Sequence, residues 1–134
     1  MKAAVYYETG APSVFRYEEL PDPEGGPDEL LVKVEVVSVE GGDTLNRLGG
    51  EMTSVSHVVG YLSVGTILRV GADVEGFEVG ERVVSIGAFG SHAPVRVVSP
   101  AFSWQIPDNL ATDVAACVPI TFGTAHDSLS EFAG

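Results

Sequence analysis

A single cysteine, few basic residues and no long hydrophobic run exclude several classes of protein before any motif is considered. With Cys117 alone no internal disulfide can form, which fits a reducing compartment. Its neighbours Ala115, Ala116, Val118 and Ile120 are small or apolar, and no basic group close in sequence would hold a thiolate. Cys117 is therefore expected to be a buried structural thiol. Only 7 Lys and Arg face 19 Asp and Glu, for a formal net charge of -12. Such a surface repels phosphate backbones and anionic headgroups, so neither nucleic acid nor a membrane is an expected partner. No stretch of roughly 18 apolar residues occurs, and Met1-Lys2-Ala3-Ala4-Val5-Tyr6-Tyr7-Glu8 lacks the apolar core of a signal peptide. A cytoplasmic protein is expected.

What is present is the material of one core: 134 residues, 45% of them apolar. A first strand is read at residues 3–7, then a turn at Thr9-Gly10-Ala11-Pro12 and a short strand ending near Leu20. Acids, prolines and glycines fill residues 21–28, a composition that reads as a solvated connection. Residues 31–39 form the clearest strand. Val32, Val34 and Val36 alternate there with Lys33 and Glu35, and the phase changes at Val36-Val37, where a β-bulge is expected. Residues 43–48 fit a short helix capped by Asp43 or Thr44 and ended by Gly49-Gly50, with residues 52–57 irregular. Further strands are expected at 64–70, 83–86 and 93–98, the last two joined by Gly87-Ala88-Phe89-Gly90. Residues 110–116 read as a helix with Asp108 or Asn109 at its cap, and a second helical segment begins near 121–125. Many short strands with glycine turns argue for an all-β barrel or sandwich.

Three segments are more specific. Residues 71–83, Gly71-Ala72-Asp73-Val74-Glu75-Gly76-Phe77-Glu78-Val79-Gly80-Glu81-Arg82-Val83, are close to a "VG…V…F…GDRV" signature. Pro107-Asp108-Asn109-Leu110 and Ala115-Ala116 follow at the matching separation, and Gly123-Thr124-Ala125-His126-Asp127-Ser128-Leu129 is similar to "GLTAYDAL". Together they resemble the amino-terminal, GroES-like domain of medium-chain dehydrogenases/reductases over nearly the whole chain. The resemblance implies a mainly β fold, a GroES-like partly open β-barrel with short helices at residues 1–118. It also implies a helical bridge at 119–134 toward a nucleotide-binding domain that is absent. Read physically, residues 71–83 are structural. Gly71, Gly76 and Gly80 permit tight turns, Val74, Phe77 and Val79 can bury the loop, and Arg82 is expected to pair with an acid.

The zinc-dependent members carry a catalytic cysteine in a "CHTD"-like run and a histidine and acid in a "GHE" run. Glu40-Gly41-Gly42-Asp43 and Gly60-Tyr61-Leu62 stand in those places here. His57, His92 and His126 lack ligand spacing, so no metal is expected. The sequence therefore resembles the zinc-free quinone oxidoreductase branch. Residues 39–49 match its "VNPVDTYIRSG" run and Gly60-Tyr61 its "PGYDxxG" run, with Glu40 in the asparagine position and Leu62 in the acid position. The resemblance makes Glu40 and Tyr61 the candidate catalytic residues. Tyr61 could donate a hydrogen bond to a carbonyl, and Glu40 could act as a base or a polar orienter. Asp43, Thr44, Thr124 and His126 are the candidates near substrate or cofactor.

The glycine-rich turn that cradles a pyrophosphate follows these segments in the family, and neither Gly41-Gly42 nor residues 87–90 can replace it. No cofactor is expected for the isolated chain, and NADPH if a nucleotide-binding domain completes it. Three functions remain open. One is the substrate side of a zinc-independent, NADPH-dependent quinone or enone reductase. Another is a stand-alone cyclase or isomerase that reuses the cleft, and the third a non-catalytic binding or assembly domain. The expected partners are a small organic substrate and either a homodimer mate or a separate nucleotide-binding chain. Ile120, Phe122, Leu129 and Phe132 are expected to form the apolar patch such a partner covers.

Overall fold

A computed structural model describes residues 1–52, 54 and 56–132. Strands β1 (Lys2–Tyr6), β2 (Arg16–Glu19) and β4 (His57–Val58) make a three-stranded sheet in the order β2-β1-β4. The larger sheet runs β7-β3-β5-β6-β8, from β3 (Leu30–Val37), β5 (Leu62–Val70), β6 (Arg82–Ile86), β7 (Val95–Val98) and β8 (Ser103–Gln105). All pairings are antiparallel and the sheets stay open. Helices α1 (Gly41–Gly49), α2 (Thr112–Cys117) and α3 (Gly123–Ser130) complete the chain, with a π-helical turn at Val118–Phe122 joining the last two. None of these helices is long and apolar enough to cross a membrane.

The phase change in β3 has a structural purpose. Val34 faces Gly65 and Val36 faces Val64, so Glu35 is the extra residue of a bulge, one place earlier than the pattern suggested. Before the bulge Leu30 and Val32 join Ile67, Val83 and Val98 in one core cluster. After it Val36 packs on the other cluster, with Leu62, Val64, Val84, Ile106, Ala115 and Ala116. One inserted residue thus moves a valine from one sheet face to the other. Val83 and Val84, adjacent on β6, feed the two clusters separately, so the strand is apolar on both sides. Each such side chain contributes about 1.5–3 kcal/mol on burial. The strands also approach closely at Gly65, where a Cβ would lie 1.9 Å from the Lys33 carbonyl oxygen.

Several local expectations are corrected. Helix α1 starts at Gly41 with Glu40 as its cap residue; Asp43 is its third residue and accepts a bond from the Glu40 N–H at 3.0 Å. Helix α2 is preceded by Ala111, which has no side-chain acceptor, so neither Asp108 nor Asn109 caps it. Among the described residues Arg82 pairs with no acid. It donates to the Pro107 and Leu110 carbonyls at 2.8 and 3.0 Å and to Thr112 Oγ1 at 3.2 Å, tying β6 to the approach of α2. Val74 and Phe77 pack on the core as expected, but Val79 is exposed. Cys117 is exposed too, because the buried face of its short helix is filled by Ala115 and Ala116. The short strands β4 and β8 give no alternating pattern of their own, and β4 begins inside the stretch read as irregular. Of that stretch, Thr53 lies outside the described residues, as does Val55.

Candidate functional site

The site grows from one turn. Gly60 has φ +102°, and a Cβ there would lie 2.1 Å from Ser91 Oγ and 2.5 Å from His92 Cδ2. Only glycine lets the chain pass this close to residues 91–92 and swing into β5. Tyr61 follows, half-buried, with its ring end laid over the start of α1. A Cβ on Gly42 would stand 2.7 Å from the Tyr61 hydroxyl oxygen. The Gly42 N–H dipole is directed toward that oxygen and weakly favours its ionised form. Burial first, then the charges of Asp43 and Glu40, raise the Tyr61 pKa above its ordinary 10.0, which keeps the phenol protonated at neutral pH.

Beneath Tyr61 lies a buried polar group. Asp43 is 4% exposed, and among the described residues its Oδ1 has no hydrogen-bond partner. His92 Nε2 stands 3.8 Å from Asp43 Oδ2, beyond hydrogen-bond range. Burial lowers the His92 pKa from 6.5; Asp43 opposes that shift and Arg96 adds to it, so the ring is neutral at pH 7 and forms no ion pair. Arg96, 3% exposed on β7, donates to the carbonyls of Tyr61, Gly87 and Phe89 and to Ser63 Oγ. On the other side of Tyr61 an apolar pocket of about 530 Å³ is lined by Tyr61, Ile86, Gly87, Ala88 and Phe102. Ile86 also borders a second hollow with Val84, Trp104, Val118 and Pro119.

The structure brings Glu40, Asp43 and Tyr61 together. Glu40 is half-buried, accepts the Ser38 hydroxyl at 2.6 Å and heads α1. Thr44 is exposed and bonds back to the Gly41 carbonyl at 2.7 Å within its own helix. Thr124 and His126 are exposed on α3, where the polar contacts of His126 are with Asp127 and Ser130. Among the described residues no hydrogen bond or ion pair joins either to the Tyr61 group. Sequence reasoning missed His92 and Arg96. An arginine in the inward phase of residues 95–98 was the available signal.

The residues do not fit the groups used by better-known relatives. Among the described residues no three His, Cys, Asp or Glu converge on a point that could hold a metal ion. Nor does an all-antiparallel set of strands offer the parallel β–α–β turn that holds a dinucleotide pyrophosphate.

An open antiparallel sheet, with a glycine-paved polar cluster beside an apolar pocket, fits a GroES-like domain. The chain belongs to the alcohol dehydrogenase GroES-like domain family, which matches residues 26–108. It is 33% identical over 119 residues to a zinc-type alcohol dehydrogenase-like protein of Staphylococcus aureus, covering 87% of this chain and 35% of that protein. It is 32% identical over 126 residues to quinone oxidoreductase-like protein 2 of Rattus norvegicus, covering 92% and 35%. The structure of mycobacterial Rv1454c complexed with NADPH superposes with a TM-score of 0.91 at 34% identity, over 99% of this chain and 42% of that one. The chain thus spans about a third of the curated relatives and under half of the solved one. What it shares with them is the GroES-like domain.

Proposed function

We propose that this chain is the substrate-side domain of a zinc-independent, NADPH-dependent quinone or enone reductase, in which Tyr61 receives the substrate carbonyl. The observation that carries this reading is the Tyr61 hydroxyl, held protonated over Gly42 at the start of α1, with its ring bordering the apolar pocket. A flat apolar ring suits that pocket, and a donor at its edge strengthens its bond as negative charge builds on the carbonyl oxygen. Glu40 and Asp43 are positioning residues here. They set the start of α1, so that Gly42 lies under Tyr61, and their charges disfavour the tyrosinate. Thr44 supports the same helix end. Thr124 and His126 belong to the bridge at 119–134 toward the nucleotide-binding domain, and the family resemblance puts Thr124 near the nicotinamide.

That domain, on the same polypeptide or a separate chain, is needed for hydride transfer. Phe122, Leu129 and Phe132, at 61%, 78% and 83% exposure, support its docking, or a homodimer, on this face, while Ile120 is already half-buried against the core. The lone cysteine supports a cytoplasmic location. The test is the native gene product, purified at its intact mass and assayed for NADPH oxidation with 1,4-naphthoquinone and 2-cyclohexenone. Turnover is expected, with kcat lowered about 10²-fold in Tyr61→Phe. A native product of 14.0 kDa that transforms an organic substrate without NADPH would sink the reductase reading.

A further inference from the structure

Arg96 is a buried cation whose two Nη groups are spent on the pocket wall, while its buried Nε has no hydrogen-bond partner among the described residues. Burial lowers its pKa to about 10 against the opposing pull of Asp43, and among the described residues it forms no ion pair. A guanidinium so placed loses its hydration, and an apolar side chain would fill the same space without that cost. What an apolar side chain could not do is hold several carbonyls. Nη2 donates to the Gly87 and Phe89 carbonyls at 2.9 and 2.8 Å, both Nη atoms reach the Tyr61 carbonyl at 3.3 Å, and Nη1 reaches Ser63 Oγ at 3.1 Å. These acceptors belong to two separate segments, the start of β5 and the 87–90 turn, that together wall the pocket. The segments are also joined directly, by the Gly87 N–H to the Tyr61 carbonyl at 2.8 Å, and the turn is tied to β4 by the Gly90 N–H to the Val58 carbonyl at 2.8 Å. Gly87 leaves room for the clamp, since a Cβ there would lie 2.7 Å from Nη2.

We infer that Arg96 is a positioning residue for substrate: one planar guanidinium sets the spacing between Tyr61 and the 87–90 turn, and so the width of the pocket. The inference rests on reading that pocket as the substrate site. A planar five-donor fork can bridge three carbonyls at once, whereas a lysine supplies a single point of attachment.

The test uses the 134-residue chain with 1,4-naphthoquinone as probe, comparing wild type, Arg96→Lys and Val83→Ala. Val83 is a fully buried core residue outside the pocket, so its variant loses stability without touching the clamp. At a temperature where all three are folded, Arg96→Lys is expected to weaken naphthoquinone binding about tenfold. Its Gly87 and Gly90 amides should exchange faster than in Val83→Ala, which keeps wild-type affinity. Wild-type affinity in Arg96→Lys, or no faster exchange at Gly87 and Gly90, overturns the inference. Should Arg96→Lys not fold, wild type still decides. Its Arg96 guanidinium N–H resonances should be resolved, protected and shifted by the probe, and averaged, unprotected resonances overturn the clamp. Failure of wild type to bind naphthoquinone, with the amide pattern intact, counts against the substrate reading of the pocket, and exchange alone then decides the clamp.

Discussion

Around Tyr61 the chain closes on itself: Gly42 supports the hydroxyl, Arg96 holds the backbone carbonyl, and Gly60 lets residues 91–92 come within contact. Along α3 the opposite holds. Its eight residues bury no side chain, and Leu129 and Phe132 beyond Phe122 point large apolar surfaces outward. Both regions were marked by resemblance to the same family. They differ in what completes them: the first is finished by contacts within this chain, and the second has its apolar side still to be covered. A site residue in the first region can be studied in the chain alone, and one in the second only in the assembly.

The largest expected effect lies in the finished region. Gly60→Ala places a methyl on a φ of +102° and into Ser91 Oγ, and should cost about 3 kcal/mol in a urea titration with unchanged slope. A cost under about 0.5 kcal/mol would show that this region is as loose as α3. Gly42→Ala meets only the movable end of Tyr61, so about 1 kcal/mol is expected. Its clearer sign is a displaced Tyr61 ring in the NMR spectrum.

Acid should act on the same region. Burial holds the pKa values of both His57 and His92 below the ordinary 6.5. Between those lowered values and 6.5 the unfolded chain binds more protons than the folded one. Stability therefore falls as pH drops below 6.5 and levels off once the folded values are passed. His92→Gln should make that decline shallower, and an unchanged slope would remove His92 from the buried group. The smallest effect belongs to α3: Leu129→Ser with Phe132→Ser should move the stability of the chain by no more than about 0.5 kcal/mol, while reducing any self-association seen in sedimentation.

Much of this was legible in the residues. The valine phase change announced a bulge because side-chain period 2 puts the adjacent Val36 and Val37 on opposite faces of a regular strand, and the bulge came one place earlier, at Glu35. The glycine spacing of residues 71–83 was legible for a similar reason. Gly76 and Gly80 take positive φ, and a Cβ on Gly71 would strike the Pro27 carbonyl oxygen at 2.2 Å. Cys117 was misjudged because apolar neighbours in sequence say nothing about which side of a six-residue helix meets the core. Arg82 and Arg96 were opaque for another reason. Apart from one hydroxyl each, on Thr112 and Ser63, their partners are backbone carbonyls, and a carbonyl leaves no trace in a side-chain pattern. Pairing Glu40 with Tyr61 came from resemblance, whereas the role of Gly42 beneath that tyrosine needed coordinates.

The measurement that bears most directly on the finished-site claim is a map of amide shifts in this chain on titration with 1,4-naphthoquinone. Saturable shifts are predicted at Tyr61, Ile86, Gly87, Ala88 and Phe102, with Thr124 and His126 silent. Shifts centred on α3, or none at Tyr61, would contradict it.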